Sequence, residues 1–307
     1  MYKAKKINLL VSVVVLRYKK LEDTLAAVGS VLKQTYKNVE IIVVDDATPD
    51  ESYKTIAQKF PCVKIVHLEK SMGRSAHNEG LKMAKGDILV PIDADMRLPR
   101  DFILKLVDKF SRYPQINFIA PNLIHPTDSA FEWRPVYDPR SVVPGGYDCA
   151  GGLPAMRASA FDKVGGFNPD IFLYVDEWEH LIRIWEAGYR VVYFPGLVMH
   201  HTYSANPYRS MMMGYHTVIN HIKLYAMYLP VYVWLRFLFH HGGQFSDAFA
   251  TGKVNRLGMI KGVLQGIWVL ATALPKRRVV SRRTLDSFMK YYFPVRGKVV
   301  VTKWGWT

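Results

Sequence analysis

Cysteine is nearly absent from this chain. Its 307 residues include only Cys62 and Cys149, which form no CxxC pair and are too few for a disulfide framework. That excludes a zinc module and a disulfide-stapled scaffold, and it fits a reducing compartment. Glycine-rich phosphate loops are missing as well. No G-x-x-x-x-G-K-[ST] occurs, and no G-x-G-x-x-G follows the first apolar run, so a P-loop and a dinucleotide fingerprint are both excluded. There is no H-E-x-x-H to hold zinc. Acidic residues are scarce: 26 Asp and Glu stand against 41 Lys and Arg, a formal charge of +15. Such a surplus implies an anionic partner, whether nucleotide phosphates, nucleic acid or an anionic membrane face.

What is present is a globular composition. Half the residues are hydrophobic, and 307 residues suffice for one large domain or two small ones. Lys3, Lys5 and Lys6 precede an apolar run, Ile7–Leu16, in the manner of a signal peptide. No small-x-small cleavage site follows and the run is valine-rich, so it reads as a buried first strand. Strand and helix signals then alternate. Helical spacing of Leu21, Leu25, Val28 and Leu32 predicts a helix over Lys20–Gln34. A strand over Val39–Val44, a helix over Ser52–Phe60 and a strand over Val63–Leu68 follow. Then come a helix over Ser75–Ala84 with Ser75 as its N-cap, a strand over Asp87–Ile92, a helix over Arg100–Arg112 and a strand over Ile116–Ala120. Arg190–Pro195 reads as a further strand. This order predicts an α/β fold, a mainly parallel sheet flanked by helices. Beyond about Tyr203 strand signals stop, and helices rich in Met, Trp, Tyr and Leu follow. The boundary predicts an α/β domain over 1–205 and a basic helical region over 206–307.

Ligands of open α/β sheets bind outside the carboxyl ends of the strands. Acidic residues sit at two such ends, Asp45-Asp46 and Asp93-Ala94-Asp95. Asp93-x-Asp95 has the donor chemistry for a divalent cation on a diphosphate: hard carboxylate oxygens that leave positions open for phosphate oxygens.

The motifs occur in a fixed order. Val11-Ser-Val-Val-Val-Leu-Arg-Tyr18, Ser30-Val-Leu-Lys-Gln-Thr-Tyr36 and Val39-Glu-Ile-Ile-Val-Val-Asp-Asp46 come first. Gly73-Arg-Ser-Ala-His-Asn-Glu-Gly80 and Ala84-Lys-Gly-Asp-Ile-Leu-Val-Pro-Ile-Asp-Ala-Asp95 follow. Then come Gly151-Gly152, Met156-Arg-Ala-Ser-Ala-Phe-Asp-Lys-Val-Gly-Gly-Phe167 and Asp176-Glu-Trp-Glu-His-Leu-Ile-Arg183. From about Leu10 to His201 this set resembles the inverting family-2 glycosyltransferases, which have a GT-A fold; within them it is similar to bacterial rhamnosyl-, galactosyl- and galactofuranosyltransferase-like members. The resemblance implies a hexosyltransferase-like enzyme with a nucleoside-diphosphate sugar as substrate and Mg²⁺ or Mn²⁺ as cofactor. It places Leu16, Tyr18 and Asp46 at the base and ribose, Arg74 by the donor phosphates or the loop beneath them, and Asp93, with Ala94, at the ribose. Asp95 and His201 would hold the metal. It gives Glu177 the role of the base that deprotonates the acceptor hydroxyl, with Asp176 and Glu179 as alternatives; the family more often has Asp at the position of Glu177. The competing reading takes these three acids as solvated charges in a helix's first turn, favoured by its dipole; the base role for Glu177 is preferred. His77 stands where the family often has Arg. Gly151, Gly152 and Trp178 would shape the acceptor side, although Trp178 also suits plain core packing. Gly165-Gly166 reads as a helix C-terminal signal.

In the tail, Leu224–Phe239 and Leu257–Pro275 approach the shortest membrane-spanning length but carry polar interruptions. They are expected to lie in the interface or on the catalytic domain, with Gly258, Gly262 and Gly266 allowing close helix packing. Lys276-Arg-Arg278 and Arg282-Arg283 fit an anionic leaflet, so the expected location is cytoplasmic, peripheral at the cytoplasmic membrane face. A saccharide or lipid-linked acceptor follows from that placement; no nucleic-acid partner is expected, and a homo-oligomer stays open. Two other functions compete. A sugar-nucleotide nucleotidyltransferase would carry a glycine-rich loop after the first strand, where this chain has Leu16-Arg-Tyr-Lys-Lys20. A non-catalytic membrane adaptor would have no need of carboxylates at strand ends.

Overall fold

The computed structural model describes residues 8–124, 136–138, 143–150, 153–202, 207–234 and 255–292. Its first half is a parallel α/β unit. Strand β1 (Val11–Arg17) lies between β2 (Val39–Asp45) and β4 (Ile88–Asp93), and β3 (Lys64–His67) extends the edge beyond β2. All these ladders are parallel. Strands covered on both faces read as apolar runs instead of alternating, and Val11, Val13, Val14, Val15, Ile42, Val43 and Val44 are all buried.

Helices α1 (Leu21–Leu32), α2 (Ser52–Lys59), α3 (His77–Met83) and α4 (Phe102–Arg112) connect these strands. Gly80 shows how closely α3 sits on the sheet: a Cβ there would lie 2.5 Å from Val14 Cγ1 and 2.7 Å from Val44 Cγ2. The α3 stretch corrects one expectation. Ser75 is no N-cap; it belongs to a 3₁₀ turn, Gly73–Ala76, and its hydroxyl donates to Met72 O at 2.9 Å.

The second half of the sheet is mixed. Strands β5 (Met96–Arg97), β6 (Phe118–Ile124), β7 (Val136–Asp138), β8 (Tyr147–Ala150), β9 (Ala155–Arg157) and β10 (Val191–His201) give the path β3-β2-β1-β4-β9-β6-β10-β8-β7, with β5 on β10. β9 runs antiparallel to both β4 and β6 and joins the halves. β10 outruns its expected end at Pro195: a register shift between Phe194 and Val198 lets it continue to His201. Helix α5 (Ala158–Val164) ends at Gly165, φ 77°, as its sequence suggests. Helix α6 (Asp176–Glu186) then returns the chain to the sheet.

The C-terminal helices are α7 (Pro207–Tyr228), α8 (Arg256–Ala273) and α9 (Arg282–Tyr292). Leu224, Leu229, Leu285, Phe288, Tyr291 and Tyr292 join the same hydrophobic core as Leu181 and Trp185 of α6. The helical region is thus continuous in packing with the α/β unit. The glycine stripe of α8 faces α7, where a Cβ on Gly262 would meet Val218 Cβ at 2.9 Å and one on Gly266 would meet Ile222 Cδ1 at 2.8 Å. The opposite face leaves Leu257, Val263, Leu264, Ile267 and Trp268 exposed. Arg256–Lys276 is long and apolar enough to cross a membrane, by length and composition alone. The last residues of the Leu224–Phe239 stretch lie outside the described residues.

Candidate active site

The register of the parallel strands assembles the site. Leu16 of β1 pairs with Asp93 of β4, and Arg17 pairs with Asp45 of β2, so the carboxyl ends of three strands are level. The chain leaves β1 through an unusual bend. Lys19 and Lys20 both have left-handed backbones, φ 58° and 47°, which a Cβ disfavours. Buried Arg17 holds the bend, donating from Nε and Nη2 to Lys19 O at 3.3 and 3.1 Å. Thr48 Oγ1 accepts from Lys19 N at 2.8 Å. Tyr18 is half exposed on this loop.

At the end of β2 the two aspartates divide their work. Asp45 is fully buried; it accepts a hydrogen bond from the Thr48 hydroxyl and lies 2.7 Å from His67 Nδ1. Asp46 accepts from Ser71 Oγ at 2.7 Å, Met72 N at 2.6 Å and Gly73 N at 3.1 Å. Its carboxylate therefore fixes the loop that carries Arg74. Gly73 has φ 59°, and a Cβ there would sit 2.2 Å from Phe172 O. Only glycine permits that approach, which also lets Arg74 N donate to Phe172 O at 2.8 Å.

Arg74 joins the two halves of the site. Its Nη1 lies 2.5 Å from Asp93 Oδ1 and its Nε 2.9 Å from Asp176 Oδ2. Burial opposes its charge, but Asp93, Asp176 and Glu177 outweigh burial and raise its pKa above the ordinary value. The guanidinium thus bridges the Asp-x-Asp element and the head of α6.

Asp95 is buried between Lys20 and His201. Lys20 Nζ approaches its Oδ2 at 2.8 Å and His201 Nε2 its Oδ1 at 3.2 Å. Burial would raise its pKa, yet His201 and Lys20 overcome that and hold the carboxyl well below the usual range. The β5–β10 ladder, His201 opposite Met96, brings the histidine to the aspartate. Thr202 fixes the backbone there, donating to Asp95 O from both N and Oγ1 at 2.8 Å. Ala94 is buried and its N–H donates to Leu16 O. A carboxylate oxygen and an imidazole nitrogen from Asp95 and His201 fit Mn²⁺ or Mg²⁺. Among the described residues no three His, Cys, Asp or Glu side chains form a closed metal cage.

The head of α6 begins in strain. Tyr174 and Val175 have φ of 62° and 67°, and a β-branched residue there is a genuine outlier. Asn220 of α7, itself buried, holds the turn by donating to Leu173 O at 2.6 Å and Tyr174 O at 3.0 Å. Asp176 and Glu177 follow at once. Glu179 is committed elsewhere: it takes Arg183 Nε at 2.8 Å, Asn168 Nδ2 at 3.0 Å and Tyr228 OH at 2.5 Å. That makes it a packing hub and leaves Glu177 and Asp176 as the acids near Arg74. Trp178 packs edge-on against Tyr292 at 4.6 Å and Phe288 at 5.9 Å, the core-packing alternative of its two sequence readings. His77 is fully buried with Nε2 3.2 Å from Ile92 O, and burial pulls its pKa down to about 4. Gly151 and Gly152 lie outside the described residues.

The contacts above link Leu16, Asp46, Arg74, Asp93, Ala94, Asp95, Asp176 and His201 into one network, with Glu177 within electrostatic reach of Arg74. Lys20 and Asn220 escape a reading by motif, because each acts through a partner 75 or about 50 residues away.

Residues 12–165 match the profile of glycosyl transferase family 2. An Escherichia coli UDP-Glc:alpha-D-GlcNAc-diphosphoundecaprenol beta-1,3-glucosyltransferase, WfaP, is 36% identical over 90 residues, 28% of this chain and 35% of that protein. A dolichol-phosphate mannosyltransferase from Pyrococcus furiosus is 35% identical over 105 residues, 32% of this chain and 29% of its own. The chain therefore matches about a third of the length of these relatives. Among solved structures, Staphylococcus aureus TarS superposes with a TM-score of 0.53 over 69% of this chain and 39% of its own, at 15% identity, a likeness of fold alone.

Proposed function

The chain belongs to glycosyl transferase family 2, and on that premise we propose that it moves a sugar from a nucleoside-diphosphate donor to an acceptor hydroxyl with inversion. The observation that carries this is the Arg74 bridge, which brings the Asp93-x-Asp95 element and the Asp176-Glu177 helix head into one site. The donor's base and ribose lie by Leu16, Tyr18 and Asp93, with Asp46 and Gly73 shaping the loop beneath. Asp95 and His201 would hold Mg²⁺ or Mn²⁺, which would supply positive charge to offset that developing on the leaving nucleotide. Glu177 takes the proton from the acceptor hydroxyl, positioned by the turn that Asn220 holds. Arg74 lies within electrostatic reach of that carboxylate.

The acceptor is a saccharide or a lipid-linked saccharide, used in cell-surface polysaccharide or glycolipid synthesis. Two relatives whose names specify polyprenol-linked substrates support this, as does the exposed apolar face of α8. We place the protein at the cytoplasmic face of a membrane, with α8 lying in the interface. Part of the basic cluster beside α8 serves the fold. Arg277 donates to the carbonyls of Ala226 in α7 and of Leu229 just beyond it, at 2.5 and 2.7 Å, and Lys276 pairs with Asp170 at 2.5 Å. Arg278 and Arg283 then remain for lipid phosphates.

A thermal-shift panel of UDP-, GDP- and dTDP-sugars with Mn²⁺ or EDTA tests the donor site. A metal-dependent shift for one nucleotide class, absent in Asp95→Ala, is expected. No shift with any nucleotide from a folded protein would remove the donor-site assignment and bring a non-catalytic membrane adaptor forward.

A further inference from the structure

We propose that Lys20 is a built-in counter-cation for Asp95, competing with divalent metal for that carboxylate and yielding it only to a metal–diphosphate pair. This rests on the donor-site reading above. Four observations carry it. The Lys20 ammonium lies 2.8 Å from Asp95 Oδ2, in contact with the carboxylate oxygen a cation would seek. The side chain of Lys20 is 36% exposed and that of Asp95 8%, so the flexible partner can leave and the buried one stays. His201 approaches the other oxygen from the β10 strand, which leaves Lys20 as the displaceable neighbour.

The fourth is the backbone beneath Lys20. Its left-handed bend is fixed from several sides. Arg17 and Thr48 grip Lys19, and Thr24 donates to Lys20 O from N at 3.0 Å and Oγ1 at 2.8 Å. Unfavourable backbone held this firmly aims the side chain.

Charge balance then gives the order of binding. Arg74 is shared between Asp93 and Asp176, whereas Lys20 is paired with Asp95. A bare divalent ion would have to displace an ammonium from a neutralised pair. An ion that arrives with a sugar-nucleotide diphosphate brings two negative charges, and the freed ammonium can move from carboxylate to phosphoryl oxygen without loss of pairing. Metal binding is therefore weak alone and strong with nucleotide.

The test is Mn²⁺ titration of the full chain, followed by the electron paramagnetic resonance signal of the free aquo ion. It is run without nucleotide and then with UDP, GDP and dTDP. Lys20→Met should bind Mn²⁺ more tightly than wild type in the absence of nucleotide, by up to about fivefold, the gain expected when a competing, partly exposed ion pair is removed. Adding Asp95→Asn should abolish the gain. Lys20→Arg should keep the weak metal binding, and Lys20→Gln should repeat Lys20→Met if either variant melts early. With nucleotide present, Lys20→Met should bind the diphosphate more weakly than wild type. Equal Mn²⁺ affinity in wild type and both neutral variants, with nucleotide binding intact, would overturn the proposal and leave Lys20 an ordinary ion pair. Binding of neither nucleotide nor metal by any form would overturn the donor-site reading, and this proposal with it.

Discussion

The Nε of Arg74 lies 2.9 Å from Oδ2 of Asp176, across 102 residues of sequence, and the same guanidinium reaches Asp93 on its other side. One side chain thereby ties the carboxyl end of β4 to the helix that carries Glu177. Asp176 is buried, so Arg74→Ala takes a cation away from a buried carboxylate. Arg74→Ala should cost about 3 kcal/mol of stability, the usual penalty for breaking a buried pair. It should also lower kcat by more than it raises donor KM. Arg74→Lys should rescue neither fully, because an ammonium cannot reproduce the two-sided fork. Urea unfolding and steady-state kinetics check both arms.

Gly73 makes that bridge sterically accessible. With φ at 59° and Phe172 O at 2.2 Å from any Cβ, Gly73→Ala should move the Arg74 loop or prevent folding. The expected result is a protein that melts well below wild type and gives no nucleotide-dependent thermal shift. Gly29→Ala has open space around it and should behave as wild type.

Asn220 acts from outside the α/β unit. Its amide holds the left-handed turn at Tyr174 and Val175, so Asn220→Ala should release that strain. We expect kcat to fall about tenfold or more with donor affinity nearly unchanged. Amide hydrogen exchange should quicken over residues 173–177. Uniform loss of both kinetic constants without local exchange would mark Asn220 as plain core.

Two buried histidines set the acid limit. Burial lowers His77 to about 4 and His180 to about 3, against 6.5 in the unfolded chain. Between pH 6.5 and about 4 the unfolded state binds protons that the folded state refuses. Stability therefore rises with pH through this window and is lost as pH falls, by about 1.4 kcal/mol per pH unit for each group. Melting followed from pH 7 to 4 should show the decline, and His77→Gln should reduce its slope by about one proton.

The strands that proved easiest to read are those buried on both faces. Val11–Leu16, Ile41–Val44 and Ile88–Ile92 carry continuous apolar runs, and the acids at their ends mark the ligand edge. The strands β5, β7, β8 and β9 hold two to four residues each, too short for any period to emerge. Asp46, Arg74, Asp95 and His201 were legible as motif positions. Their partners were not. Asp46 anchors a loop and Arg74 faces two carboxylates, pairings made by tertiary approach that local spacing does not encode. Trp178 has two equal readings in sequence, and its edge-on contacts with the aromatic rings of α9 come from tertiary packing that no local spacing announces.

The most direct test of the central claim is the rate of nucleoside diphosphate release from the matched donor, wild type against Glu177→Gln. Glutamine keeps the shape of the side chain and cannot take the acceptor's proton. Release should fall by roughly 10²- to 10⁴-fold, with nucleotide affinity unchanged. Undiminished release from Glu177→Gln would contradict the assignment of Glu177 as the base.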